Sequence, residues 1–176
     1  MYRMIPHPSQ PTPPGMGLAV DAARPAPTQL RVLFVLQADL DALAVPSLAA
    51  PTRTDGLWRH TCFEAFLRAP GDPAYLELNL SPSRRWAAYR FTATREGMAP
   101  ADLPPPEIVV GAGEDGLTLD ARIDGLPSGP WRLALSAVLE ARDGRLSYWA
   151  LAHPSGAPDF HHPDCFTLEL PPPAQP

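Results

Sequence analysis

Alternation of apolar and polar side chains recurs along this sequence and limits the folds that the chain can adopt. In the run YLELNL, residues 75–80, three leucines occupy every second position and are separated by Tyr, Glu and Asn. The runs QLRVLFVLQA (29–38) and LTLDARI (117–123) show the same two-residue period on at least one face. Successive side chains of a strand point to opposite faces, so these runs are typical of antiparallel strands with one buried face.

Turn signals separate the alternating runs and favour hairpins. Asp115-Gly116 and Asp143-Gly144 lie between such runs, and Asp-Gly tolerates the positive φ angles that a tight hairpin turn requires. A third hairpin is predicted where SPSRR, residues 81–85, separates YLELNL from WAAYRF. No segment keeps a helical period over three turns, and residues 38–45 allow at most one helical turn before a proline. We therefore predict an all-β fold, a sandwich of two antiparallel sheets with about eight to ten strands.

The length and composition are those of one globular domain. A chain of 176 residues with 45% hydrophobic and 19% charged residues can bury one core and is short for two. We predict a single domain over residues 1–176 with proline-rich, loosely held ends at about 1–14 and 171–176. His7 falls within the first of these ends and is expected to be exposed to solvent.

Charge and hydropathy limit the kinds of partner that the protein is expected to bind and its expected location in the cell. The net charge is −5, and the 14 basic residues are scattered, whereas a surface that follows phosphates needs clustered basic side chains. No apolar run approaches the length of a bilayer span, and the start of the chain has no apolar core of a signal peptide. These features predict a cytoplasmic protein that binds neither nucleic acid nor membranes. They leave its oligomeric state open.

The run PDFHHPDCF, residues 158–166, contains three types of metal-binding side chain. Imidazole, carboxylate and thiolate are all ligands of transition metals. Adjacent residues of a strand point to opposite faces, so both histidines bind one ion only if the segment is irregular. A packing or capping role is therefore the favoured interpretation of this run. The weak candidates for metal ligands are His153, Asp159, His161 and His162.

The two cysteines have a simpler interpretation. Cys62 and Cys165 lie in strand-like runs and are too few for a framework of disulfides. We predict two buried or half-buried thiols. A nucleophilic role for Cys165 beside His162 is disfavoured because the sequence offers no obvious third group to orient the base.

A better organised set of polar residues lies on two runs that are expected to pair. If CFEAFLR (62–68) pairs with YLELNL, Glu64 shares a face with Glu77 and Asn79. Carboxylates and amides bind sugar hydroxyls, and aromatic faces stack on the apolar side of a sugar ring. Trp58, Trp86, Tyr89 and Arg90 flank these runs in the sequence. The alternative is an ordinary solvated sheet face with cross-strand charge pairs.

Three long segments resemble a known family. They are DGLWRHTCFEAFL (55–67), YLELNLSPSRRWAAYRF (75–91) and LSYWALAHPSGAPDFHHPDCFTLEL (146–170). Together they resemble the bacterial DOMON-like family that is related to the type 9 carbohydrate-binding module. The resemblance implies a β-sandwich and a non-catalytic module that binds a ligand, which in the wider group is a sugar or haem. Haem-binding relatives use methionine, histidine or lysine as axial ligands, and this sequence contains no obvious matching pair, although Met98 and one of the histidines could serve.

These observations lead to one main hypothesis and two alternatives. We expect a non-catalytic protein that binds a small, carbohydrate-like ligand. Neither haem nor a divalent metal is favoured as a cofactor. A haem- or metal-binding protein that uses histidines of the last loop is the first alternative, and a metal-dependent hydrolase is the least favoured one. The predicted ligand-binding residues are Trp58, Glu64, Asn79, Trp86 and Arg90.

Overall fold

A computed structural model describes residues 1–10, 12 and 15–173 and contains two antiparallel sheets. The five-stranded sheet has the order β1-β3-β4-β10-β9, and the eight-stranded sheet has the order β2-β12-β11-β5-β6-β7-β8 with β13 paired to β11. The strands are β1 Tyr2–Arg3, β2 Ile5–Pro6, β3 Gly17–Ala26, β4 Gln29–Gln37, β5 Cys62–Arg68, β6 Tyr75–Leu80, β7 Trp86–Phe91, β8 Ala99–Pro100, β9 Glu107–Gly113, β10 Gly116–Ile123, β11 Trp131–Glu140, β12 Leu146–Ala150 and β13 Leu168–Leu170.

The predicted all-β sandwich is confirmed. Nine of the thirteen strands have five or more residues, and the other four have two or three residues each. The only helical segments in the described part of the chain are three short 3₁₀ helices, at Leu40–Ala42, Leu57–Arg59 and Pro163–Cys165. The same part of the chain has no helix with the length and apolar character needed to cross a bilayer.

The hairpins form where the turn signals predict them. The strands β9 and β10, β11 and β12, and β6 and β7 pair as antiparallel neighbours. Gly116 has a φ of +137°, and a Cβ atom at this position would lie only 2.0 Å from the carbonyl oxygen of Leu36. Glycine is therefore required here both by the backbone conformation and by the close approach of β4.

The alternation within the strands builds two separate apolar layers. Phe63, Ala65 and Leu67 of β5 point into the main core between the sheets, where the rings of Phe34 and Phe63 pack with their centroids 4.9 Å apart. The alternate residues of β5 point to the outer face of the larger sheet. A second hydrophobic cluster covers that face and includes Phe66 from β5 together with Phe160 and Phe166 from the segment before β13.

The N-terminal segment is better ordered than its proline content predicts. The strand β1 pairs with β3, whereas β2 pairs with β12 of the other sheet. Met4, between the two short strands, is fully buried in the main core, and only 1% of the surface of His7 is exposed. The prediction of an exposed His7 is therefore wrong. Residues 11, 13, 14 and 174–176 of the predicted ends lie outside the described residues.

Candidate functional site

A cavity of about 530 Å³ opens on the outer face of the larger sheet. Its floor comes from β5, β6, β7 and β11, and its rim comes from segments that cross this face. Its volume falls within the range of sites that bind small ligands. The lining residues are Gln10, Trp58, Glu64, Glu77, Phe91, Arg95, Met98, Val138, Tyr148, Pro158, Phe160 and His161.

Two buried carboxylates form the polar part of the floor. Glu64 on β5 lies opposite Asn79 on β6, and Glu77 is two residues before Asn79, so both carboxylates lie on one face as diagonal neighbours. Only 3% of Glu64 and 4% of Glu77 is exposed. Ser136 Oγ donates a hydrogen bond to Glu64 Oε2 at 2.9 Å, and Asn79 Nδ2 donates to Glu77 Oε1 at 2.7 Å.

Burial of the two carboxylates favours their protonated forms. Burial, followed by the charge of Glu77, raises the pKa of Glu64 to about 8, although the hydrogen bond from Ser136 opposes this shift. Burial also raises the pKa of Glu77, against the effects of the Asn79 hydrogen bond and of Arg95. At neutral pH the pair therefore retains a proton.

A short chain of hydrogen bonds fixes His161 at the edge of this floor. The backbone N–H of Arg95 donates to Tyr75 Oη at 3.1 Å, and the Tyr75 hydroxyl lies 2.7 Å from His161 Nδ1. We expect the hydroxyl, which accepts from this amide, to donate its own proton to Nδ1, which leaves the proton of the neutral imidazole on Nε2. In that tautomer His161 Nε2, which lies 3.8 Å from Glu77 Oε2, places an N–H donor beside the carboxylates.

We expect His161 to remain neutral down to about pH 4. Burial, assisted by the charge of Arg95, lowers the pKa of this imidazole to about 4 from its ordinary value of 6.5. Measurement of the ring ¹⁵N chemical shifts by NMR across this range should show one tautomer, with the proton on Nε2. Tyr75→Phe removes the donor to Nδ1 and should give a mixture of tautomers. Titration of wild-type His161 near 6.5 would contradict the arrangement.

Aromatic side chains form the walls of the cavity. The edge of the Trp58 indole packs on Tyr89 with centroids 5.7 Å apart, and the Tyr89 hydroxyl donates to Asp55 Oδ1 at 2.6 Å. On the other side, Tyr148 and Phe160 pack edge to face at 6.0 Å. Ring contacts of this kind hold the aromatic planes in defined orientations.

An ion pair connects two of the segments that border the cavity. Arg95 lies between β7 and β8, and its Nε and Nη2 atoms donate to Asp159 Oδ1 at 3.2 and 2.7 Å. The same oxygen accepts from the backbone N–H of His161 at 3.1 Å. The guanidinium of Arg95 is therefore bound to Asp159 at the rim of the cavity, and Asp159 orients the loop that carries His161.

The structure brings some of the predicted ligand-binding residues together and separates others. Trp58 and Glu64 line the cavity, and Asn79 lies beneath it as the hydrogen-bond partner of Glu77. Trp86 and Arg90 do not reach it. Their positions on β7 alternate with Tyr89 and Phe91 of the outer face, so they point to the opposite side of the sheet.

The environment of Trp86 explains this correction. Trp86 lies opposite Leu80, and both side chains are buried in the main core between the sheets. The guanidinium of Arg53 lies 5.4 Å from the centroid of the Trp86 ring. Trp86 therefore stabilises the interior of the sandwich and does not line the cavity with Trp58.

The predicted metal-ligand candidates have separate roles in the structure. His161 and Asp159 belong to the contacts described above, and His162 Nδ1 accepts from the backbone N–H of Asp164 at the start of a 3₁₀ helix. His153 Nε2 donates to the carbonyl of Ile5 at 2.9 Å. No group of three or more His, Cys, Asp or Glu side chains suited to a metal occurs in the described ranges of the chain.

The cysteines are buried as predicted. Cys62 and Cys165 are both free thiols, and burial raises the pKa of each, that of Cys165 to about 11. Cys165 donates a weak hydrogen bond to the carbonyl of Asp159. A thiol with a raised pKa is a poor nucleophile at neutral pH, so its contacts are those of a packing residue.

Haem does not fit this cavity well. Met98 and His161, two residues that could serve as haem ligands, both line it. However, Glu64 and Glu77 occupy the floor, each with one oxygen that accepts no hydrogen bond from the described chain, and an apolar macrocycle above them would leave those oxygens without a donor. The lining therefore suits a ligand with many hydrogen-bonding groups better than it suits haem.

Several residues of the cavity were not predicted from the sequence as ligand-binding residues. The alternation places Glu77 on the correct face, but Glu77 is not among the predicted ligand-binding residues. Tyr75 lies two residues before Glu77 on β6, so its side chain points to the same face of the sheet. The side chains of β12 alternate between the two faces of the sheet, and that of Tyr148 points to the outer face. Arg95, Phe160 and His161 lie in loops, where no periodic pattern indicates which way a side chain points.

Comparisons with known proteins support the fold. No protein-family model and no curated protein matches the sequence. Among solved structures, a Bacteroides uniformis protein described as carbohydrate-binding is similar, with a TM-score of 0.65 and 14% identity over 93% of this chain and 83% of that chain. A family 9 carbohydrate-binding module from Caldicellulosiruptor kristjanssonii in complex with glucose has a TM-score of 0.50 and 14% identity over 82% of this chain and 71% of that one. The complex of the same module with cellotriose has a TM-score of 0.50, with coverages of 82% and 70%. The chain thus has a β-sandwich fold similar to that of carbohydrate-binding proteins.

Proposed function

We propose that this chain is a non-catalytic carbohydrate-binding protein and that its ligand occupies the cavity on the outer face of the larger sheet. The observation that carries the proposal is the combination of aromatic walls with a buried polar floor. Trp58 and Tyr148 offer ring surfaces, while Glu64, Glu77 and His161 offer hydrogen-bonding atoms. Membership of the DOMON-like family is part of this proposal and rests on the sequence motifs described above.

The chemistry of a sugar matches both parts of the cavity. A pyranose ring has an apolar face of C–H groups that packs on aromatic rings, and its hydroxyls both donate and accept hydrogen bonds. A cavity of about 530 Å³ falls within the range of small-ligand sites and suits one or two sugar rings. The similar solved structures support the same class of ligand, since one of them is a module in complex with glucose and cellotriose.

Replacement of Trp58 by alanine tests this proposal directly. We expect Trp58→Ala to weaken binding of the preferred sugar by about tenfold or more, because it removes an aromatic surface worth about 1 kcal/mol beyond its buried area. Isothermal titration calorimetry with mono- and disaccharides, chosen from a glycan array, would measure the affinity. Tyr2→Ala is a matched control, because Tyr2 is an exposed aromatic residue on the other sheet.

Two further measurements separate the alternatives. Equal affinities of the wild type and Trp58→Ala for every sugar that binds would show that this cavity is not the sugar site. Shortening of an oligosaccharide during incubation would contradict a non-catalytic role. A strong absorption band near 400 nm or a stoichiometric metal would instead support the haem- or metal-binding alternative.

A further inference from the structure

We propose that the preferred ligand is a sugar with a free amino group, whose ammonium lies against the carboxylates of Glu64 and Glu77. This inference rests on the proposed function and specifies the class of sugar. It depends on three features of the cavity: the free oxygens of the two carboxylates, the lack of a cation beside them, and the position of Arg95.

Each carboxylate has an oxygen to which the described chain donates no hydrogen bond. Glu64 accepts from Ser136 through Oε2, and Glu77 accepts from Asn79 through Oε1. Glu64 Oε1 has no hydrogen-bond partner among the described residues, and the nearest basic nitrogen to Glu77 Oε2 is His161 Nε2, at 3.8 Å. Both side chains line the cavity, so two acceptor atoms on adjacent strands are available to a ligand.

These two carboxylates are unusual in lacking a charged partner. They are the only buried acidic side chains among the described residues. Exposed acids of this chain commonly pair with arginine, for example Asp120 with Arg31 and Asp143 with Arg145. In contrast, no arginine nitrogen of the described chain lies within 4 Å of Glu64 or Glu77. The sequence contains no lysine, so its own side chains offer no ammonium for this position.

The charge of Arg95 lowers the pKa of both carboxylates from a distance, but its guanidinium contacts neither of them. Arg95 lines the cavity, and its guanidinium is bound to Asp159 on the rim through two nitrogen atoms. The neighbouring imidazole of His161 is neutral because burial lowers its pKa to about 4. The remaining groups that face the carboxylates are the uncharged side chains of Cys62, Asn79, Ser136 and Tyr75. A cationic group on a ligand would therefore supply the missing charge.

Binding of an ammonium should also change the protonation of the floor. Without ligand, the pair of carboxylates holds a proton at pH 7, because burial raises the pKa of both, that of Glu64 to about 8. A positive charge beside Glu64 favours the carboxylate, so the bound state loses that proton. A neutral sugar brings no such charge and leaves the proton in place. Release of a proton on binding thus distinguishes the two kinds of ligand.

The test compares three sugars that differ at one substituent. Glucosamine, N-acetylglucosamine and glucose should be titrated into the wild-type protein by calorimetry at pH 7, in two buffers with different enthalpies of ionisation. We expect glucosamine to bind at least about tenfold more tightly than the other two, as one additional charge pair would give. We also expect its binding alone to release roughly half a proton or more.

Variants of the floor provide the second part of the test. Glu64→Gln and Glu77→Gln should each reduce the ratio of the affinities for glucosamine and glucose, and Glu64→Gln should abolish proton release. The matched control is Glu140→Gln, because Glu140 lies outside the cavity and contacts His60. Thermal unfolding would verify that each variant is folded.

The outcomes distinguish this inference from the proposed function. If glucose or N-acetylglucosamine binds as tightly as glucosamine, the inference is overturned, whereas carbohydrate binding stands. A second contrary result is that glucosamine binds more tightly than glucose while Glu64→Gln and Glu77→Gln leave the ratio of the two affinities unchanged. The amino group then lies elsewhere, and the inference is again overturned. If no sugar binds at all, both proposals fail.

Discussion

At pH 9 the Glu64→Gln protein is expected to be more stable than the wild type, by on the order of 4 kcal/mol. Glu64 is almost fully buried, and its pKa is raised from 4.5 to about 8 in the folded protein. Between these two values the folded state retains a proton that the unfolded state releases, so the free energy of unfolding of the wild type falls as the pH rises. Glutamine has the same shape and no charge, and it can still accept the hydrogen bond from Ser136.

Urea unfolding of both proteins at pH 4.5, 7 and 9 would measure this effect. The difference in the free energy of unfolding between Glu64→Gln and the wild type should be small at pH 4.5, grow between pH 4.5 and about 8, and level off above that. A difference between the wild type and Glu64→Gln that stays constant from pH 4.5 to 9 would show that Glu64 is ionised in the folded protein throughout.

The pH dependence reflects a general feature of binding sites. A charged group that is buried without a partner lowers the stability of the free protein and provides affinity only when the ligand compensates it. In this chain the polar floor lies between the aromatic residues of the second hydrophobic cluster. The same burial that makes Glu64 costly in the free protein would strengthen its interaction with a ligand.

The sequence predicts the faces of β5 and β6 because their alternation is local. Each residue of YLELNL differs in polarity from its neighbours, so the leucines identify the core face and place Glu77 and Asn79 on the outer face. The same argument separates Phe63 from Glu64. The hairpin between β9 and β10 was predictable for a similar reason, since the positive φ that follows its turn is met by Gly116, directly after the turn residues 114 and 115.

The run WAAYRF, by contrast, has too little polar contrast to define its faces. Only Arg90 is charged, and the remaining residues are aromatic or alanine. The face of Trp86 is therefore determined by its pairing with Leu80, which depends on the geometry of the intervening turn. This is why Trp86 and Arg90 were assigned to the ligand although they point away from the cavity.

The rim of the cavity depends on contacts that sequence patterns do not indicate. Arg95 and Asp159 are 64 residues apart and meet only because their loops cross the same sheet face. The order of the N-terminal segment has a similar origin. Met4 is buried because β1 and β2 pair with different sheets, and no local pattern of two-residue strands predicts such pairing.

Replacement of Phe63 by alanine should lower the free energy of unfolding by about 3–5 kcal/mol. Phe63 is fully buried and joins the two sheets through its contact with Phe34, so the substitution leaves a cavity in the centre of the main core. It also lies between Cys62 and Glu64 on β5, which makes it the core anchor of the strand that carries the site. Chemical denaturation of the variant and the wild type would give the difference.

Phe63→Leu is the matched control for this substitution. It keeps most of the apolar volume and should cost only about 1–2 kcal/mol, whereas a change of shape alone would affect both variants equally. Below its unfolding transition, Phe63→Ala should still bind ligand, because the outer face of β5 keeps Glu64 in the register set by β6 and β11. A cost of less than about 1 kcal/mol for Phe63→Ala would mean that this ring is not packed between the sheets. The assignment of faces on β5, and with it the position of Glu64 in the cavity, would then be wrong.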